Sequence, residues 1–428
     1  MLDIKFIREN PELIREAARK KRLDFKVERL IEVDDKRLAL LREVEEMRAE
    51  QNKGGKEVAA QAGDEDAKTN LVDELKNLKT ELKAKEDELA AVLKEWQNLM
   101  LQVPNVPDVS VPEGEDESKN QELRRVGKPP SFSFPVKSHI ELMQNLDLAD
   151  FERGVKIAGF RGYILKNDLV LLTLALWRYV LEHFVRLGFQ PLFVPSLLKK
   201  ESFLGTGFLP QGGDDLYETK DGFYLSGTAE VAVMGAFADE VIPREKLPVK
   251  VFAFSPCFRR EAGSHGKDTK GLVRVHEFFK WEQVVLCEAS HEVSVKHHEE
   301  ITAYAEQILQ TLKLPYRVVL NCGSDLGLGQ VKKYDLEVWL PSEKKYLETH
   351  SASYYHDFQT RRLNIRYRAA DGKFRFVHSL NNTAVATPRF LAALLENYQQ
   401  ADGSIVVPQA LVPYFGKQVI SQSNEATS

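Results

Sequence analysis

Residues 27–100 carry hydrophobic side chains at helical spacing, and no proline interrupts them. In the second half the steps alternate between four and three, which is the spacing of a coiled-coil seam, and Lys85 is the one polar interruption. The seam consists of Leu71, Leu75, Leu78, Leu82, Leu89, Val92, Trp96 and Leu99. A looser stripe in the first half consists of Val27, Leu30, Leu38, Leu41, Val44 and Met47. Helix breakers within 51–66 predict a turn between the halves, so we expect an antiparallel helical hairpin.

The pattern changes after residue 102. Repeated prolines and an acidic stretch predict a linker over 103–135. An apolar-periodic helix follows over 167–187, and a helix rich in Leu and Ala covers 387–399. Between them lie strand-like runs at 249–259, 272–286, 316–320, 334–339, 346–351 and 374–380. Short turns join most of these strands, which favours an α+β domain on an antiparallel sheet flanked by helices. The predicted domains are a helical arm (1–102), the linker (103–135) and a larger domain (136–428).

Composition narrows the class of protein. A length of 428 residues favours two domains, and 43% hydrophobic residues suffice for a sizeable core. A net charge of −5 excludes a globally basic nucleic-acid binder, although not a local basic patch. The cysteines Cys257, Cys287 and Cys322 form neither a disulfide framework nor a zinc pattern, which favours a reducing compartment. No apolar run is long enough for a bilayer, so we expect a cytoplasmic protein that makes no membrane contact.

One predicted strand pair carries charged residues where buried strands rarely have them. Because side chains alternate along a strand, Arg259 and Glu261 share one face of the first strand. On the returning strand Arg274, His276, Phe278, Lys280 and Glu282 share one face. Such a surface suits a nucleotide, since a guanidinium grips phosphate, a ring stacks on a base and a carboxylate receives a small polar ligand. A solvated sheet face with cross-strand ion pairs explains the hairpin equally well.

Three further segments favour the nucleotide interpretation. LSGTAE places Thr228 and Glu230 on one side at the end of a strand, and LETHSAS places Glu348, His350 and Ser351 near another strand. Carboxylates that face a triphosphate suggest Mg²⁺. In LNNTAVATPRF, Arg389 opens a helix, and a helix N-terminus with an arginine suits a phosphate.

At this point the chain resembles a seryl-tRNA synthetase of the bacterial type, a class II aminoacyl-tRNA synthetase. The resemblance runs from MLDIKFIRENPELIREA to the PYFG near the C-terminus. FRREAGSHGKDTKGLVRVHEFFKWE resembles motif 2 of the family, and TPRFLAALLENYQQADGSIVVPQALVPY resembles motif 3 and its tail. Residues 167–195 occupy the place of motif 1, a dimer element.

The resemblance implies that serine is activated by ATP to seryl-adenylate and passed to the 3′ end of tRNA(Ser), with tRNA(Sec) left open as a second acceptor. It implies catalytic roles for Arg259, Glu261 and Arg389. It implies a serine site of Thr228, Ala229, Glu230, Glu282 and Thr383. The implied ATP site consists of Arg259, Arg260, Glu261, Val275, His276, Glu277, Phe278, Glu348, Thr349, His350, Ser351 and Arg389. Glu348 and Ser351 would be the Mg²⁺ ligands.

The resemblance also implies partners. The arm and the motif 2 loop would contact tRNA(Ser), and two copies of the chain would form a homodimer. Two rival hypotheses stay open at this point. One is a synthetase paralogue that charges a carrier protein, although the intact arm argues against it. The other is a non-catalytic coiled-coil interaction protein, although Arg259, Glu282 and Arg389 are all present.

Overall fold

The computed structural model describes residues 1–60, 65–262 and 270–422. These residues form two compact units. The arm unit comprises Leu2–Arg19 and Leu23–Pro104, and the catalytic unit comprises Met1, Lys20–Arg22 and Asn105–Ser428. In the described part of the chain, no helix is both long and apolar enough to cross a membrane.

Thirteen α-helices are present in the described ranges. They are α1 (Ile4–Glu9), α2 (Pro11–Lys20), α3 (Val27–Ala60), α4 (Glu65–Gln102), α5 (His139–Asn145), α6 (Phe151–Ala158), α7 (Asn167–Arg186), α8 (Lys200–Thr206), α9 (Ala229–Ala236), α10 (His291–Thr311), α11 (Phe358–Arg362), α12 (Thr387–Asn397) and α13 (Val412–Phe415). The predicted helices over 27–100, 167–187 and 387–399 are therefore confirmed, with ends that differ by a few residues.

The strands of the described residues belong to one large sheet and four small ones. They are β1 (Gln121–Val126), β2 (Ala149–Asp150), β3 (Ile164–Leu165), β4 (Gln190–Phe193), β5 (Leu197–Lys199), β6 (Tyr217–Glu218), β7 (Phe223–Leu225), β8 (Val241–Ile242), β9 (Val249–Phe258), β10 (Glu277–Cys287), β11 (Tyr316–Leu320), β12 (Lys332–Leu340), β13 (Lys345–His356), β14 (Arg366–Arg368), β15 (Phe374–Phe376), β16 (His378–Ala386), β17 (Ile405–Val406) and β18 (Val419–Ile420).

The large sheet has the strand order β1-β11-β12-β13-β16-β10-β9-β4. Every neighbouring pair in it is antiparallel except β4 and β9, which are parallel. This sheet confirms the expected α+β class. Strand β1 lies within residues 103–135, so the segment that the sequence predicts as a linker contributes an edge strand.

The arm unit is held together by the predicted seam. Leu82, Leu89 and Val92 of α4 are buried against Val33, Leu40 and Val44. At about 1.5 Å per residue, both α3 and α4 exceed 50 Å in length. Lys85 is the polar interruption of the seam. Its Nζ lies 2.6 Å from Oε2 of Glu43 in α3, so it forms an ion pair between the two helices.

One detail of the arm differs from the expectation, because Leu40 rather than Leu38 is buried in the seam. Helix α3 continues through Gly54 and Gly55 to Ala60, and α4 begins at Glu65, so both helix ends lie within the range 51–66 in which the sequence predicts a turn. A Cβ at Gly54 would lie 2.6 Å from Leu75 Cδ2, so this glycine admits a close approach of α4 instead of ending the helix. Residues 61–64 lie outside the described residues.

The large sheet separates an apolar core from a polar face. Along β10, Trp281, Val285 and Cys287 belong to the main hydrophobic cluster. The alternate positions Val284 and Leu286 belong to a second cluster with α9. Lys280 and Glu282 lie on this second face nearer the start of β10, where they line a cavity instead of packing against apolar side chains.

Candidate functional site

A cavity of about 360 Å³ opens on this face of the sheet. Strands β10, β12, β13 and β16 form its floor, and helices α9 and α12 contribute their first turns. Most of the predicted site residues line it together: Thr228, Glu230, Arg259, Glu261, Val275, Phe278, Glu282, Glu348, Thr349, Ser351, Thr383 and Arg389. The structure thus brings side chains from four distant parts of the sequence into one site.

Three of the predicted residues lie beside the cavity instead of lining it. Ala229 is fully buried beneath the site, in the cluster under α9. The side chain of Arg260 is exposed, and its backbone N–H donates to the carbonyl oxygen of Asp215 at 3.0 Å. His350 is buried, with Nε2 3.0 Å from the carbonyl oxygen of Ala384. Burial lowers the pKa of His350 to about 4, which makes it a neutral structural residue.

His276 and Glu277 also lie outside the site, and they line a neighbouring apolar cavity of about 590 Å³. The expectation that His276 shares a face with Phe278 is therefore wrong. Strand β9 ends at Phe258 and β10 begins at Glu277, so strand alternation does not extend to His276. Instead, His276 Nδ1 lies 2.9 Å from the carbonyl oxygen of Arg259, which joins the two stems of the hairpin. Residues 263–269 of the predicted loop lie outside the described residues.

Thr228 and Glu230 reach the cavity from the start of a helix. The sequence predicts that they end a strand, but β7 ends at Leu225 and α9 begins at Ala229. Thr228 caps α9, and its Oγ1 accepts from the backbone N–H of Glu230 at 3.4 Å. A Thr before a helix-forming run with a Glu in its first turn is a capping signal in the sequence, which the strand interpretation overlooked.

Two irregularities of strand pairing place other side chains in the cavity. Along β13, His350 pairs with Leu336 but Glu348 pairs with Glu337, so Thr349 is one extra residue. This bulge lets Glu348 and Ser351 line the same cavity although they are three residues apart. A second irregularity next to Glu282 sets that residue opposite Thr383 of β16.

One end of the cavity is built for a small polar ligand. Glu282 is almost fully buried, and its Oε2 lies 2.5 Å from Lys280 Nζ. The same oxygen accepts a longer hydrogen bond of 3.4 Å from Thr383 Oγ1. Glu230 accepts from Gln359 Nε2 at 2.6 Å. Two carboxyl groups and two hydroxyl groups therefore converge at this end.

Burial raises the pKa of Glu230 to about 7, and the nearby Glu282 adds to the effect. Lys280 and the hydrogen bond from Gln359 oppose this shift. The carboxyl group of Glu230 therefore changes between its protonated and its ionised form close to neutral pH.

The other end of the cavity is cationic. The Arg259 guanidinium lies 5.5 Å from the centre of the Phe278 ring, so a cation and a flat apolar surface stand side by side. Arg389 Nη1 donates to Glu348 Oε2 at 3.2 Å, and Arg274 Nη1 donates to Glu261 Oε2 at 2.5 Å. Three arginines at one end of a cleft suit a polyanion.

The arginines also set the charge of the two carboxylates among them. The loss of surrounding water inside the cavity opposes ionisation of Glu348, although its side chain is only partly covered, but Arg389, Lys333 and Arg259 outweigh this and lower its pKa. Burial likewise opposes ionisation of Glu261, whereas Arg274 and the other two arginines lower its pKa. Both groups therefore remain anionic at neutral pH and are able to hold a cation.

Lys333 is a site residue to which the sequence analysis assigned no role. It lines the cavity from β12, and its Nζ lies 3.4 Å from both Asp325 and Asp335. Burial alone would lower the pKa of Lys333, but these aspartates raise it. Burial raises the pKa of Asp335 to about 7. The signal in the sequence that could have identified Lys333 is the presence of charged residues on the otherwise apolar strand KKYDLEVWL.

Residues 19–22 are four consecutive basic residues in the sequence, and the structure buries one of them, Lys21. Lys21 is only 3% exposed. Its Nζ donates to the carbonyl oxygens of Gly327, Leu328 and Gln330 at 2.6–3.0 Å. Lys21 therefore binds backbone inside the catalytic unit and presents no charge to a partner.

Comparisons with known proteins show which proteins the chain is similar to. Residues 1–107 match the family model of the seryl-tRNA synthetase N-terminal domain, and residues 215–398 match that of the class II tRNA synthetase core domain for G, H, P, S and T. The chain is 44% identical to a serine–tRNA ligase of Deinococcus radiodurans over 424 residues, which is 99% of each protein. It is 43% identical to a serine–tRNA ligase of Caldicellulosiruptor saccharolyticus over 98% of this chain and 100% of that protein.

Two solved structures share the whole fold. A seryl-tRNA synthetase from Pyrococcus horikoshii, crystallised with ATP, superimposes with a TM-score of 0.90 at 37% identity, and the match covers 99% of this chain and 100% of that one. A cytoplasmic serine–tRNA ligase from Naegleria fowleri, in complex with AMP, gives a TM-score of 0.86 at 32% identity over 99% of both chains.

The buried pair of Lys280 and Glu282 leads to a stability prediction. We expect Lys280→Met to destabilise the catalytic unit by about 3–5 kcal/mol, because it leaves Glu282 buried without its cation. The double variant Lys280→Met/Glu282→Leu should lose much less, since no uncompensated charge remains. Denaturant unfolding followed by tryptophan fluorescence measures both.

Arg375→Met is the matched control, because it removes an exposed pair with Asp371 and should cost less than about 1 kcal/mol. Equal losses in the single and double variants would contradict the assignment.

Proposed function

The chain belongs to the seryl-tRNA synthetase family of class II aminoacyl-tRNA synthetases, and we propose that its cavity binds ATP at the arginine end and serine at the carboxyl end. It is a serine–tRNA ligase. The observation that carries the proposal is the division of one cavity into a cationic end and an acidic end. In this arrangement the serine carboxylate attacks the α-phosphate, pyrophosphate leaves, and the seryl group then passes from the adenylate to the 3′ end of tRNA(Ser).

At the arginine end, Arg259 binds the α-phosphate and stabilises the charge that develops on it during attack. Phe278 stacks on one side of the adenine, and Arg389 contributes the cation on the other. Glu261 is held by Arg274 within reach of the adenine amino group. Adenylate formation needs positioning and charge neutralisation more than a general base, and this end supplies both.

The residues at the arginine end also fit a magnesium ion. Mg²⁺ is usually bound by one or two protein oxygens together with substrate phosphates and water. Glu348 is kept anionic, its side chain is 45% exposed, and the bulge places Ser351 on the same side. Among the described residues no group of three or more His, Cys, Asp or Glu side chains could hold a metal ion alone, which suits an ion that arrives with ATP. When bound, Mg²⁺ neutralises phosphate charge.

At the acidic end, Thr228 and Glu230 bind the α-ammonium group of serine. Glu282 and Thr383 receive its hydroxyl group. Lys280 and Thr383 both contact Oε2 of Glu282, so Oε1 is available to accept from the substrate. Alanine is rejected because it would leave these buried polar groups without a partner.

We further propose that the arm unit binds tRNA(Ser). The match to the seryl-tRNA synthetase N-terminal domain supports this role. Ion pairs across the two helices, such as Arg29–Glu95 and Lys36–Glu88, balance positive and negative charge on the surface of the arm. Such a surface suits recognition of RNA backbone and shape rather than of base sequence.

A homodimer completes the proposal. Helix α7 buries one face in the core, yet Leu171 and Leu174 on its other face are about half exposed. Phe193 on the edge strand β4 is 80% exposed. Contiguous exposed apolar side chains of this kind mark a protein interface, and a second copy would cover them.

We also propose a cytoplasmic location. The three cysteines are all free thiols and are buried, which fits a reducing compartment.

The first test of the function is serine-dependent exchange of pyrophosphate into ATP. We expect exchange with serine and with no other amino acid. Arg259→Ala should lower the rate about 10²–10³-fold, because a preorganised cation at the reacting phosphate is lost. Arg260→Ala is the matched control, since the neighbouring side chain lies outside the cavity and its loss should change the rate less than twofold. Equal effects of the two substitutions would refute the role of Arg259.

The pKa of Glu230 predicts how serine binding depends on pH. Below pH 7 this carboxyl group gains a proton and no longer attracts the serine ammonium group. The kcat/KM for serine should therefore fall about tenfold per pH unit below 7, whereas the KM for ATP should change little. Glu230→Gln, which cannot ionise, should remove this dependence. A wild-type profile that stays flat from pH 8 to pH 6 would exclude the assignment.

Removal of residues 27–100 tests the role of the arm. Arg29 Nη2 lies 2.6 Å from Glu95 Oε1, so the two helices are close together near the points of cleavage. A short glycine linker can therefore join residue 26 to residue 101. We expect the shortened protein to retain serine-dependent exchange and to lose most of its charging of tRNA(Ser). The KM for tRNA measured by aminoacylation gives the comparison, and normal charging by the shortened protein would disprove arm binding.

The dimer is tested by a charge on the exposed face of α7. Leu174→Glu should convert the dimer to a monomer, because burial of a carboxylate in an apolar interface is costly. Light scattering coupled to gel filtration measures the mass. Val109→Glu, at a position that is 99% exposed, is the control and should remain dimeric. A Leu174→Glu dimer would place the interface elsewhere.

A further inference from the structure

The second stem of the hairpin, Gly271–Val273, returns to the cavity without strand pairing. Leu272 and Val273 both line the cavity, and Val275 and Phe278 follow directly. Because ladder hydrogen bonds are missing here, other contacts must fix the position of this backbone. One such contact comes from His139, which is outside the proposed substrate contacts, and another comes from Arg389.

The first contact is made by His139 at the start of α5. The backbone N–H of Leu272 donates to His139 Nε2 at 3.3 Å, and His139 is only 4% exposed. Since Nε2 accepts, the ring proton must lie on Nδ1, which donates to Glu396 Oε1 at 2.9 Å. The hydrogen bond to Glu396 therefore selects the tautomer that can hold Leu272.

Glu396 is itself fixed. It is fully buried in α12 and accepts three N–H donors. The backbone N–H of His139 reaches Oε1 at 2.8 Å, and that of Ser342 reaches Oε2 at 2.9 Å, in addition to the ring of His139. His139 is thus attached to α12 at two points, by its backbone N–H and by Nδ1 of its ring, so the imidazole has little freedom to turn.

The backbone also approaches the ring unusually closely. Gly271 has φ +81°, and a Cβ on it would lie 2.5 Å from His139 Nε2 and 2.8 Å from Ile140 Cγ1. Only glycine permits this approach. The close approach is an observation independent of the hydrogen bond, and it points to the same contact.

Helix α12 makes the second contact directly. Arg389 Nε donates to the carbonyl oxygen of Val273 at 3.0 Å. Arg389 and Glu396 are seven residues apart and so lie on the same face of the helix. One helix therefore holds two successive residues of the stem, one through Arg389 and the other through Glu396 and His139.

We propose that His139, oriented by Glu396, is a positioning residue for ATP that acts through the backbone of Leu272. This inference rests on the proposed function, because it assumes that ATP occupies the arginine end. Loss of the contact lets the stem move and carries Val275 away from the adenine, whereas Phe278 stays fixed by the pairing of β10 with β9. Serine binding depends on α9, β10 and β16, which the stem does not hold, so the two substrates respond differently.

Two amide variants separate the two sides of the imidazole. The amide of Asn at position 139 occupies the place of Nδ1, so His139→Asn keeps the bond to Glu396 and loses the one to Leu272. The amide of Gln reaches the place of Nε2, so His139→Gln keeps an acceptor for Leu272. Serine-dependent pyrophosphate exchange by the full-length protein gives the KM for each substrate.

We expect His139→Asn to raise the KM for ATP about five- to tenfold, the effect of one lost hydrogen bond, with the KM for serine changed less than twofold. His139→Gln should keep the KM for ATP within about twofold of wild type. The inference is overturned if His139→Asn leaves the KM for ATP unchanged, if it raises both KM values equally, or if both variants behave alike.

A third variant covers the case in which His139→Asn does not fold. Gly271→Ala leaves His139 intact but displaces the stem, so it should raise the KM for ATP without changing that for serine. An unchanged KM for ATP in this variant would also overturn the inference. The wild-type protein distinguishes failure of the proposed function from failure of this inference. If wild type shows no serine-dependent exchange, the proposed function is refuted. If wild type shows exchange but the variants do not change the KM for ATP more than the KM for serine, only the role of His139 is refuted.

Discussion

The site depends on the burial of opposite charges next to one another on a single sheet face. Isolated, each of Lys280, Glu282, Lys333 and Asp335 would be costly to remove from water. They are tolerated because every one of them has a counter-charge within 3.4 Å. The apolar side chains that stabilise the catalytic unit are packed on the opposite face of β10 and beneath α9, so the charges do not interrupt the core.

This arrangement also separates the two kinds of chemistry in the cavity. Where arginines dominate, the neighbouring carboxylates are held ionised, and where carboxyl groups dominate, burial favours the protonated form of Glu230. One cavity therefore presents a permanently charged end to a polyanion and a titratable end to a small zwitterion. The difference arises from the local partners of each group and not from the residue types, which are similar at both ends.

The sequence predicted those features that depend on local periodicity. The seam of the arm, helix α7 and the strands from β9 to β13 follow from the spacing of apolar side chains. Arg259, Glu282, Glu348 and Arg389 could be identified because charges stand out on apolar strands or at a helix start. The roles of these residues in binding ATP, serine and Mg²⁺ were implied by the resemblance to a family and could not be inferred from the spacing of side chains.

Other features depend on contacts between distant segments, and periodicity does not report these. His276 was misplaced because the pairing of β9 and β10 ends before it, which a count of alternate residues cannot detect. The roles of Lys333 and His139 depend on contacts that only the folded structure shows. Lys333 pairs with Asp335, and His139 accepts a hydrogen bond from Leu272. Thr349 is an extra residue only relative to the partner strand β12, since a bulge is defined by two strands together.

The bulge at Thr349 restricts how this strand can change over generations. Point substitutions at that position would leave the pairing intact, and loss of the extra residue would leave Glu348 and Ser351 two residues apart and still on one face. Gain of a further residue there would instead turn one of the two to the far side of the sheet. Added residues should therefore accumulate in the arm and in surface turns, while this stretch of β13 does not lengthen.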